Sequence, residues 1–349
     1  MISRTRLDAI LSTLPRLTIG LVGDLFLDRY LDLDPELGET SIETGLEAYQ
    51  VTRVRNSPGA LGTVMNNLAA LGVRRLLPVT IVGDDGQAYD LLKELAKLPV
   101  DSAYIVQDSA RLTPTYTKPM RRGDQGVWQE LNRIDLRNNA PPRPETERSL
   151  LEQITKVFRQ VDGLIVLDQV NEDNWGVITT GVREHLASLS RAHPDKVVLV
   201  DSRQRIGQFH FGFLKPNVAE CLRALGRDER TAAGDLPFAR EAALALRRHT
   251  GRPLFCTVGE AGILAVGFDA ADSVTHVPGY PVAGPVDIVG AGDSATAGLV
   301  SALLSGASPS EAAALGNLVA SITVQQLGTT GTASPEQLRA RWRECYSPL

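Results

Sequence analysis

The sequence is poor in cysteine and in aromatic residues. Its 349 residues include 3 cysteines, Cys221, Cys256 and Cys345, and only 5% of the residues are aromatic. The cysteines lie far apart, with no Cys-x-x-Cys pair and no Cys/His cluster, which argues against a disulfide framework or a zinc site. A chain of this length can bury a sizeable core without such cross-links. We therefore expect a protein of the reducing cytoplasm.

Long apolar runs and an excess of positive charge are missing as well. No stretch approaches the ~20 apolar residues of a membrane-spanning helix. Residues 1–16 (MISRTRLDAILSTLPR) carry charges and predict an amphipathic helix rather than a signal peptide. The chain has 36 basic and 41 acidic residues, a net charge of −5. We expect it to bind neither membranes nor nucleic acids.

What the sequence does contain is a regular alternation of apolar segments and helical patterns. Helical spacing of apolar residues appears at 85–98 and 310–324. The strand candidates are short, rich in β-branched residues and apolar on both faces, as in a sheet covered on both sides. They are residues 17–23, 75–83, 163–168, 196–201 and 253–259. This order predicts an α/β fold with a doubly wound, mostly parallel sheet.

Two segments, 41–55 and 111–135, alternate polar and apolar residues without helical spacing. They predict a small separate sheet with one face open to solvent, formed by two insertions in a single domain of residues 1–349. Near the ends of the core strands such a sheet would be a lid. Because so small a sheet is not stable alone, we expect a homodimer through the lid. Its apolar contact residues would include Leu46, Tyr49, Val51 and Trp128. The alternative is that one lid closes over its own site.

The strongest chemical signal lies in GPVDIVGAGDSATAGLVSALLSG, residues 284–306. Gly290, Ala291 and Gly292 precede a helical pattern, so their backbone N–H groups would converge at a helix N-terminus and bind phosphate. Asp293 in the first turn could accept the proton of a hydroxyl group that attacks this phosphate. A glycine turn with an N-terminal aspartate of no chemical role is the alternative.

The same turn also fits the dinucleotide fingerprint, with Ala295 at its third position. That fingerprint normally opens a βαβ unit whose second strand ends in an acidic residue. Here a second helical pattern follows instead, and Asp293 would place a negative charge beside the pyrophosphate. We therefore disfavour a nicotinamide oxidoreductase.

Three other segments carry candidate ligands. Asn217 and Glu220 could hold Mg²⁺ through water, or simply cap a helix. Residues 257–266 read as two strands joined by a glycine turn that a nucleotide could approach, or as an ordinary hairpin. Asp24 and Asp28, at the end of the first strand, could bind sugar hydroxyls, or could be solvated loop acids.

Taken in order, these segments resemble the ribokinase family of PfkB-type sugar kinases. The matching motifs are GDLFLD (23–28), PGALGTVMNNLAALG (58–72), VDSR (200–203), KPNxxE (215–220), TxGexG (257–262), DxxGAGD (287–293) and the late Asn317. They cover nearly the whole chain. The resemblance implies a three-layer α/β/α domain with a β-sheet lid, and Mg·ATP-dependent phosphorylation of a hydroxyl group. It also allows a monovalent cation.

The resemblance assigns roles by position. Asp293 would be the catalytic base, and Gly290, Ala291 and Gly292 the anion hole. The metal and phosphates would be served by Asn217 and Glu220, and the nucleotide would lie near Thr257, Gly259, Gly262 and Asn317. Asp28 would bind the sugar. Further candidates for the substrate site are Asp24, Gly59, Thr63, Lys118, Arg133 and Asp168.

Within the family, residues 114–121 and 129–135 resemble the lid strands of the kinases that phosphorylate D-glycero-D-manno-heptose 7-phosphate at its anomeric oxygen. Four lid cations could contact the phosphate already present on such a sugar. They are Lys118, Arg121, Arg122 and Arg133. A solvated basic lid face is the alternative.

Several positions depart from the family pattern. Gly59-Ala60 replaces Gly-Gly, Thr63 replaces an Asn that contacts substrate, and Val289 replaces a Thr. Residues 169–172, Gln-Val-Asn-Glu, replace the Tyr-Gly-Lys-Gly of the heptose kinases. Two further functions therefore stay open: a kinase of an unphosphorylated sugar or nucleoside, and a catalytically silent sugar-binding regulatory protein.

Overall fold

The computed structural model describes residues 2–123, 128–229, 235–328 and 330–346. The helices are α1 (Arg4–Thr13), α2 (Leu61–Ala70), α3 (Gly86–Leu95), α4 (Pro144–Gln160), α5 (Thr180–Ala192), α6 (Val218–Ala224), α7 (Leu236–Thr250), α8 (Ala291–Leu304), α9 (Pro309–Thr323) and α10 (Pro335–Tyr346). The strands are β1 (Thr18–Gly23), β2 (Leu25–Leu33), β3 (Glu39–Thr40), β4 (Glu47–Ala48), β5 (Val51–Ala60), β6 (Arg75–Val79), β7 (Ile81–Val82), β8 (Val106–Gln107), β9 (Thr115–Arg122), β10 (Trp128–Glu130), β11 (Ile134–Leu136), β12 (Gly163–Asp168), β13 (Val197–Ser202), β14 (Phe213–Leu214), β15 (Leu254–Thr257), β16 (Ile263–Val266) and β17 (Val274–Val277). In the described part of the chain, no helix combines the length and the apolar character needed to cross a bilayer.

An eight-stranded sheet forms the centre, in the order β17-β16-β15-β14-β13-β12-β1-β6. All neighbours from β6 to β15 are parallel, and β16 and β17 add an antiparallel edge. The predicted strands coincide with β1, β6 with β7, β12, β13 and β15. The prediction of a doubly wound, mostly parallel sheet is confirmed.

Helices cover both faces of this sheet because its strands send alternate side chains into two cores. Leu21 and Ile165 pack in the core formed with α1, α2, α3, α8, α9 and α10. Their neighbours Val22 and Val166 pack in the core formed with α4 to α7. This explains why the strand segments are apolar on both faces, and it produces the expected three layers.

A second sheet of five strands, in the order β10-β9-β2-β5 with β11 also paired to β9, forms the lid. The predicted lid segment 41–55 is wrong in its boundaries. The long strand β5 begins at Val51, residues 41–46 form a turn and loop between the two-residue strands β3 and β4, and the central lid strand is β2. Only Asp24 separates β1 from β2. Because apolar residues lie on both sides of it, the sequence does not show that the chain changes from the central sheet to the lid sheet at this point. The second segment, 111–135, contains β9, β10 and the start of β11, with 124–127 outside the described residues.

The polar side chains of interest collect where the parallel strands end. Asp24 follows β1, while Asp168, Asp201 and Thr257 lie at the ends of β12, β13 and β15. The carboxyl ends of parallel strands share one edge of the sheet, where α/β proteins bind ligands. The first strand of the lid leaves the sheet from this same edge.

Candidate active site

The predicted anion-binding turn lies at the start of α8. Gly290 precedes the helix with φ 80°, a left-handed conformation that glycine adopts without strain. A Cβ atom added to Gly290 would lie 3.4 Å from the methyl groups of both Thr63 and Thr330. The structure therefore places Thr63, a predicted substrate residue, beside this turn.

Two N–H groups of the turn are open to a ligand. The N–H of Ala291 donates to the carbonyl of Ile288 at 3.1 Å, which corrects the expectation that Ala291 also serves the anion. No described residue accepts from the N–H of Gly292 or Asp293, as is usual in the first turn of a helix. These two donors are placed where the predicted anion site requires them.

The predicted base, Asp293, lies in the first turn of α8, and no described residue donates a hydrogen bond to its carboxyl group. Burial, and then the charge of Asp201, raise its pKa to about 7 from the ordinary 3.8, against the opposing charges of Lys215 and Arg203. A carboxylate with a pKa near neutrality is well suited to accept a proton.

A buried ion pair lies next to the turn. Lys215 Nζ is 2.9 Å from Asp201 Oδ2, and both side chains are buried. Burial alone would lower the pKa of Lys215, but the charges of Asp201 and Glu220 raise it above its ordinary value. A Cβ atom added to Gly292 would lie 3.7 Å from Lys215 Nζ. The turn thus has a fixed ammonium group beside its backbone donors, an arrangement that stabilises a transferring phosphoryl group.

Asn217 and Glu220 form the capping box that was the alternative to a metal site. Glu220 N–H donates to Asn217 Oδ1 at 2.9 Å, and Asn217 N–H donates to Glu220 Oε2 at 2.8 Å. Burial, and then the charge of Asp201, raise the pKa of Glu220 to about 7, and among the described residues it has no ion-pair partner. A carboxyl group in this situation fits a divalent cation. The described residues contain no group of three or more His, Cys, Asp or Glu that could hold a metal ion.

The predicted nucleotide residues gather around this capping box. Thr257 N–H donates to the carbonyl of Pro216 at 2.9 Å, beside Asn217. Gly259 and Gly262 lie in and after the short turn that follows. Thr257 and its glycine turn are therefore adjacent to the candidate metal residues.

Asn317 has a bracing role in the structure. Its amide nitrogen donates to the carbonyls of Val277 and Pro278, at 2.9 and 3.1 Å. The turn that follows packs on the glycine turn, with Gly279 N–H donating to the carbonyl of Ala261 at 3.3 Å. Asn317 thus supports the nucleotide residues from behind.

On the lid side, Asp28, Gly59 and Lys118 come together. Lys118 Nζ lies 3.1 Å from Asp28 Oδ1 and donates to the Tyr30 hydroxyl at 3.2 Å. A Cβ atom on Gly59 would lie 2.6 Å from Asp28 Oδ2, so any other residue would displace this carboxylate from its present position. The charge of Asp28 also acts on Asp293, which puts the predicted sugar ligand near the predicted base.

Two predicted sugar ligands, Asp24 and Asp168, are satisfied inside the protein. Asp24 accepts backbone N–H groups of Gln169, Val170 and Val177 at 2.8, 3.0 and 2.7 Å. Asp168 pairs with Arg205 at 2.5 Å and also accepts from the Ser202 hydroxyl at 2.6 Å. Both carboxylates are buried, and these bonds give both a structural role. Asp24 also lines the cavity under the lid, so its contact with sugar stays a prediction, whereas Asp168 is not part of that lining.

The predicted cluster of four lid cations is dispersed. Lys118 is held by Asp28, while Arg121 pairs with Glu47 at 2.7 Å. Arg133 pairs with Asp135 at 2.6 Å, and its guanidinium lies 4.1 Å from the ring centre of Tyr116. Of these three, only Arg133 lines the cavity under the lid.

That cavity, of about 160 Å³, lies between the lid and the strand ends. Its basic lining residues are Arg111, Arg133, Arg137 and Arg203. The charge of Arg203 acts both on Tyr116, another lining residue, and on Asp293. Arg203 therefore links the cavity electrostatically to the candidate base.

This geometry agrees with comparisons to known proteins. The sequence profile described as pfkB family carbohydrate kinase matches residues 34–337. The chain belongs to the pfkB family of carbohydrate kinases. The family prediction is confirmed, and the family is one of carbohydrate kinases.

Curated relatives of this pfkB kinase carry the name bifunctional protein HldE. The protein from Caulobacter sp. (strain K31) is 33% identical over 95% of this chain and 64% of its own length. The protein from Pelobacter propionicus is 30% identical over 97% of this chain and 66% of its own length. The chain thus spans just under two thirds of the length of these relatives.

Solved structures show the same fold. Arabidopsis thaliana ribokinase, complexed with ribose and ATP, matches with a TM-score of 0.67 at 16% identity, over 93% of this chain and 98% of that one. Escherichia coli phosphofructokinase-2, in complex with substrates and products, matches with a TM-score of 0.68 at 18% identity, over 94% and 99% of the two chains.

Asp201, Arg203 and Lys215 lie in the motifs VDSR and KPNxxE of this pfkB kinase, but the sequence alone predicted no role for them. The available signal was an acidic residue at a strand end and a lysine at the next strand end along the sheet. No comparable feature of the sequence marked Arg111 and Arg137. Arg111 begins the lid segment and Arg137 follows it, and they come together only in the folded cavity.

Proposed function

We propose that this pfkB-family kinase transfers the γ-phosphate of ATP to a hydroxyl of a sugar that already carries a phosphate, a heptose 7-phosphate being the leading acceptor. The observation that carries the proposal is the arginine-lined cavity, whose Tyr116 is the strand neighbour of Asp28 and whose Arg203 acts through its charge on Asp293. The lid segments that resemble the heptose kinases, and the relatives named HldE, support it.

The charges in the cavity favour a phosphorylated acceptor. Arg133 and Arg137 are paired with Asp135 and Glu172. Arg203, in contrast, has no carboxylate within ion-pair distance among the described residues. Among the described residues, Arg111 donates only to the carbonyls of Ala140 at 3.0 Å and Trp175 at 2.6 Å, and burial lowers its pKa against the opposing charges of Asp108 and Asp24. A phosphate dianion would supply the missing counter-charge through charge-assisted hydrogen bonds.

The residues can perform the transfer as follows. Asp28 orients the acceptor hydroxyl, and Asp293 accepts its proton as the oxygen attacks the γ-phosphorus. The bond to the leaving oxygen breaks and ADP departs. The N–H groups of Gly292 and Asp293, with Lys215, neutralise charge on the transferring phosphoryl group.

ATP would lie on the side of Thr257, Gly259 and Gly262, supported by Asn317. Glu220 and Asn217 would hold the waters of Mg²⁺, which offsets the charge of the phosphates. A monovalent cation stays a prediction, and a potassium titration of the rate tests it.

Arg203→Gln tests the acceptor, with Arg121→Gln as the matched control because Arg121 pairs with Glu47 on the exposed lid. Charge-assisted bonds contribute about 1.5–3 kcal/mol, so KM for the phosphorylated sugar should rise about tenfold to a hundredfold. KM for the same sugar without phosphate should not change. Equal effects on both sugars, or no preference of the wild type for the phosphorylated one, would favour a kinase of neutral sugars. A folded protein without turnover on any sugar would favour a silent binding protein.

We propose further that the lid sheet packs against the lid of a second copy of the chain. Strand β5 is an edge of the lid sheet, and its residues 51–54 are exposed. The predicted contact residues Leu46, Tyr49 and Trp128 are 69%, 49% and 45% exposed. Exposed apolar strand edges favour pairing with another strand. A monomeric mass by light scattering at micromolar concentration would contradict the dimer.

A further inference from the structure

One wall of the arginine-lined cavity is an irregular segment, residues 169–177, between β12 and α5. It contributes a large share of the lining: Gln169, Val170, Asn171, Trp175, Gly176 and Val177. A segment without helix or strand has no backbone ladder of its own. Its shape therefore depends on side chains from elsewhere in the chain.

Arg205 holds this segment from one side. Its Nε and Nη2 donate to Asp168 at 3.1 and 2.5 Å. The same guanidinium donates to the carbonyls of Val170 at 2.5 Å and Asn171 at 2.9 Å, and to Asp173 at 3.3 Å. Because the guanidinium is a rigid planar fork, these bonds fix the start of the segment in one position relative to β12.

Asp24 holds the segment from the other side. Its carboxylate accepts the N–H groups of Gln169 and Val170 at the start and of Val177 at the end. Both ends of the cavity wall are thereby bonded to Asp24, the residue at which the chain passes from β1 of the central sheet to β2 of the lid. Asp24 and Arg205 are buried and bind opposite backbone groups, one the N–H groups and the other the carbonyls.

We propose that Arg205 and Asp24 form a clamp that keeps residues 169–177 in the shape that binds the acceptor, and that Arg205 is a positioning residue for acceptor affinity. The inference rests on the proposed sugar-kinase function. Stability alone is a weak explanation for such a buried ion pair, because apolar residues of similar volume often stabilise a fold as well. Three of the five bonds that Arg205 donates go to the wall of one cavity, at Val170, Asn171 and Asp173, and these give the pair a specific task.

Arg205→Lys is the decisive variant, because lysine keeps the charge beside Asp168 but cannot also reach both carbonyls. We expect kcat/KM for the acceptor to fall about tenfold to a hundredfold, as for other displacements of a binding group, while KM for ATP stays unchanged. Amides of Gln169, Val170 and Val177 should exchange hydrogen faster. The matched control is Arg6→Lys, whose guanidinium also joins a carboxylate, Glu311, to a carbonyl, Gly306, at the far end of α8. It should change none of these quantities.

Asp24→Asn provides an independent variant, since its amide nitrogen would face N–H donors. It should likewise lower kcat/KM for the acceptor, leave KM for ATP unchanged and speed hydrogen exchange of the same amides. Unchanged acceptor kinetics in folded Arg205→Lys, equal changes for acceptor and ATP, or unfolding of both variants would overturn the clamp. If the wild type proves to prefer a neutral sugar, the proposed acceptor is wrong, but the same split measured on that sugar still tests the clamp.

Discussion

Two groups of carboxylates, one at the ends of central strands and the other in the first turns of helices, differ in how far the protein satisfies their hydrogen-bonding capacity. Asp24 receives three backbone N–H groups, and Asp168 is paired with Arg205. Asp293 and Glu220 are also shielded from water and have raised pKa values, yet no described cation is within ion-pair distance of either. A buried acid whose bonds are complete holds structure, whereas one whose bonds are incomplete is available to substrate or metal.

The largest effect that this comparison predicts is for Asp293→Asn. The amide keeps the shape of the side chain but cannot accept the proton, so kcat should fall by about 10²–10⁴. Folding and ATP affinity should stay near wild type, as measured by thermal unfolding and calorimetric titration. If kcat stayed within a few-fold of wild type, the incomplete bonding of Asp293 would not mark a base.

The pH dependence follows from the same carboxyl group. With its pKa raised to about 7, Asp293 is protonated and inactive at lower pH, so kcat/KM should rise about tenfold per pH unit until pH 7. Since Asp201 contributes to this rise in pKa, Asp201→Asn should move the acidic limb to lower pH. An unmoved limb would contradict the role given to Asp201.

Stability should show the opposite sign. A carboxyl group whose folded pKa lies above its unfolded pKa binds the proton more tightly when folded. The contribution of Asp293 to the free energy of unfolding is therefore present below about pH 4 and is lost as the pH rises to about 7. The difference between wild type and Asp293→Asn in urea unfolding, followed over this range, measures it.

A smaller effect separates metal binding from helix capping at Glu220. Glutamine serves a capping box as well as glutamate does, so Glu220→Gln should leave thermal stability nearly unchanged. Loss of the negative charge should nevertheless raise the Mg²⁺ concentration for half-maximal rate, by about tenfold. An unchanged magnesium titration would leave Glu220 a helix cap only.

The sequence predicted features that depend on local chemistry. The turn before α8 was predictable because its left-handed residue favours glycine, which the sequence shows at position 290. The central strands were predictable because short apolar runs of their length are typical of strands buried on both faces. Asp24 and Asp28 could not be told apart. They are four residues apart and have similar neighbours in the sequence. In the structure Asp24 contacts residues 169–177, whereas Asp28 contacts Gly59 and Lys118.

Asp24 also sets where the lid can bend. Its main chain joins β1 directly to β2, and its carbonyl accepts the N–H of Leu61, where β5 returns from the lid and α2 begins. Its side chain is meanwhile bonded to the cavity wall. Two chain crossings between lid and sheet therefore meet at a single buried residue. A rotation of the outer lid about this base would change the distance between Asp28 and Asp293 far less than the opening at the lid tip.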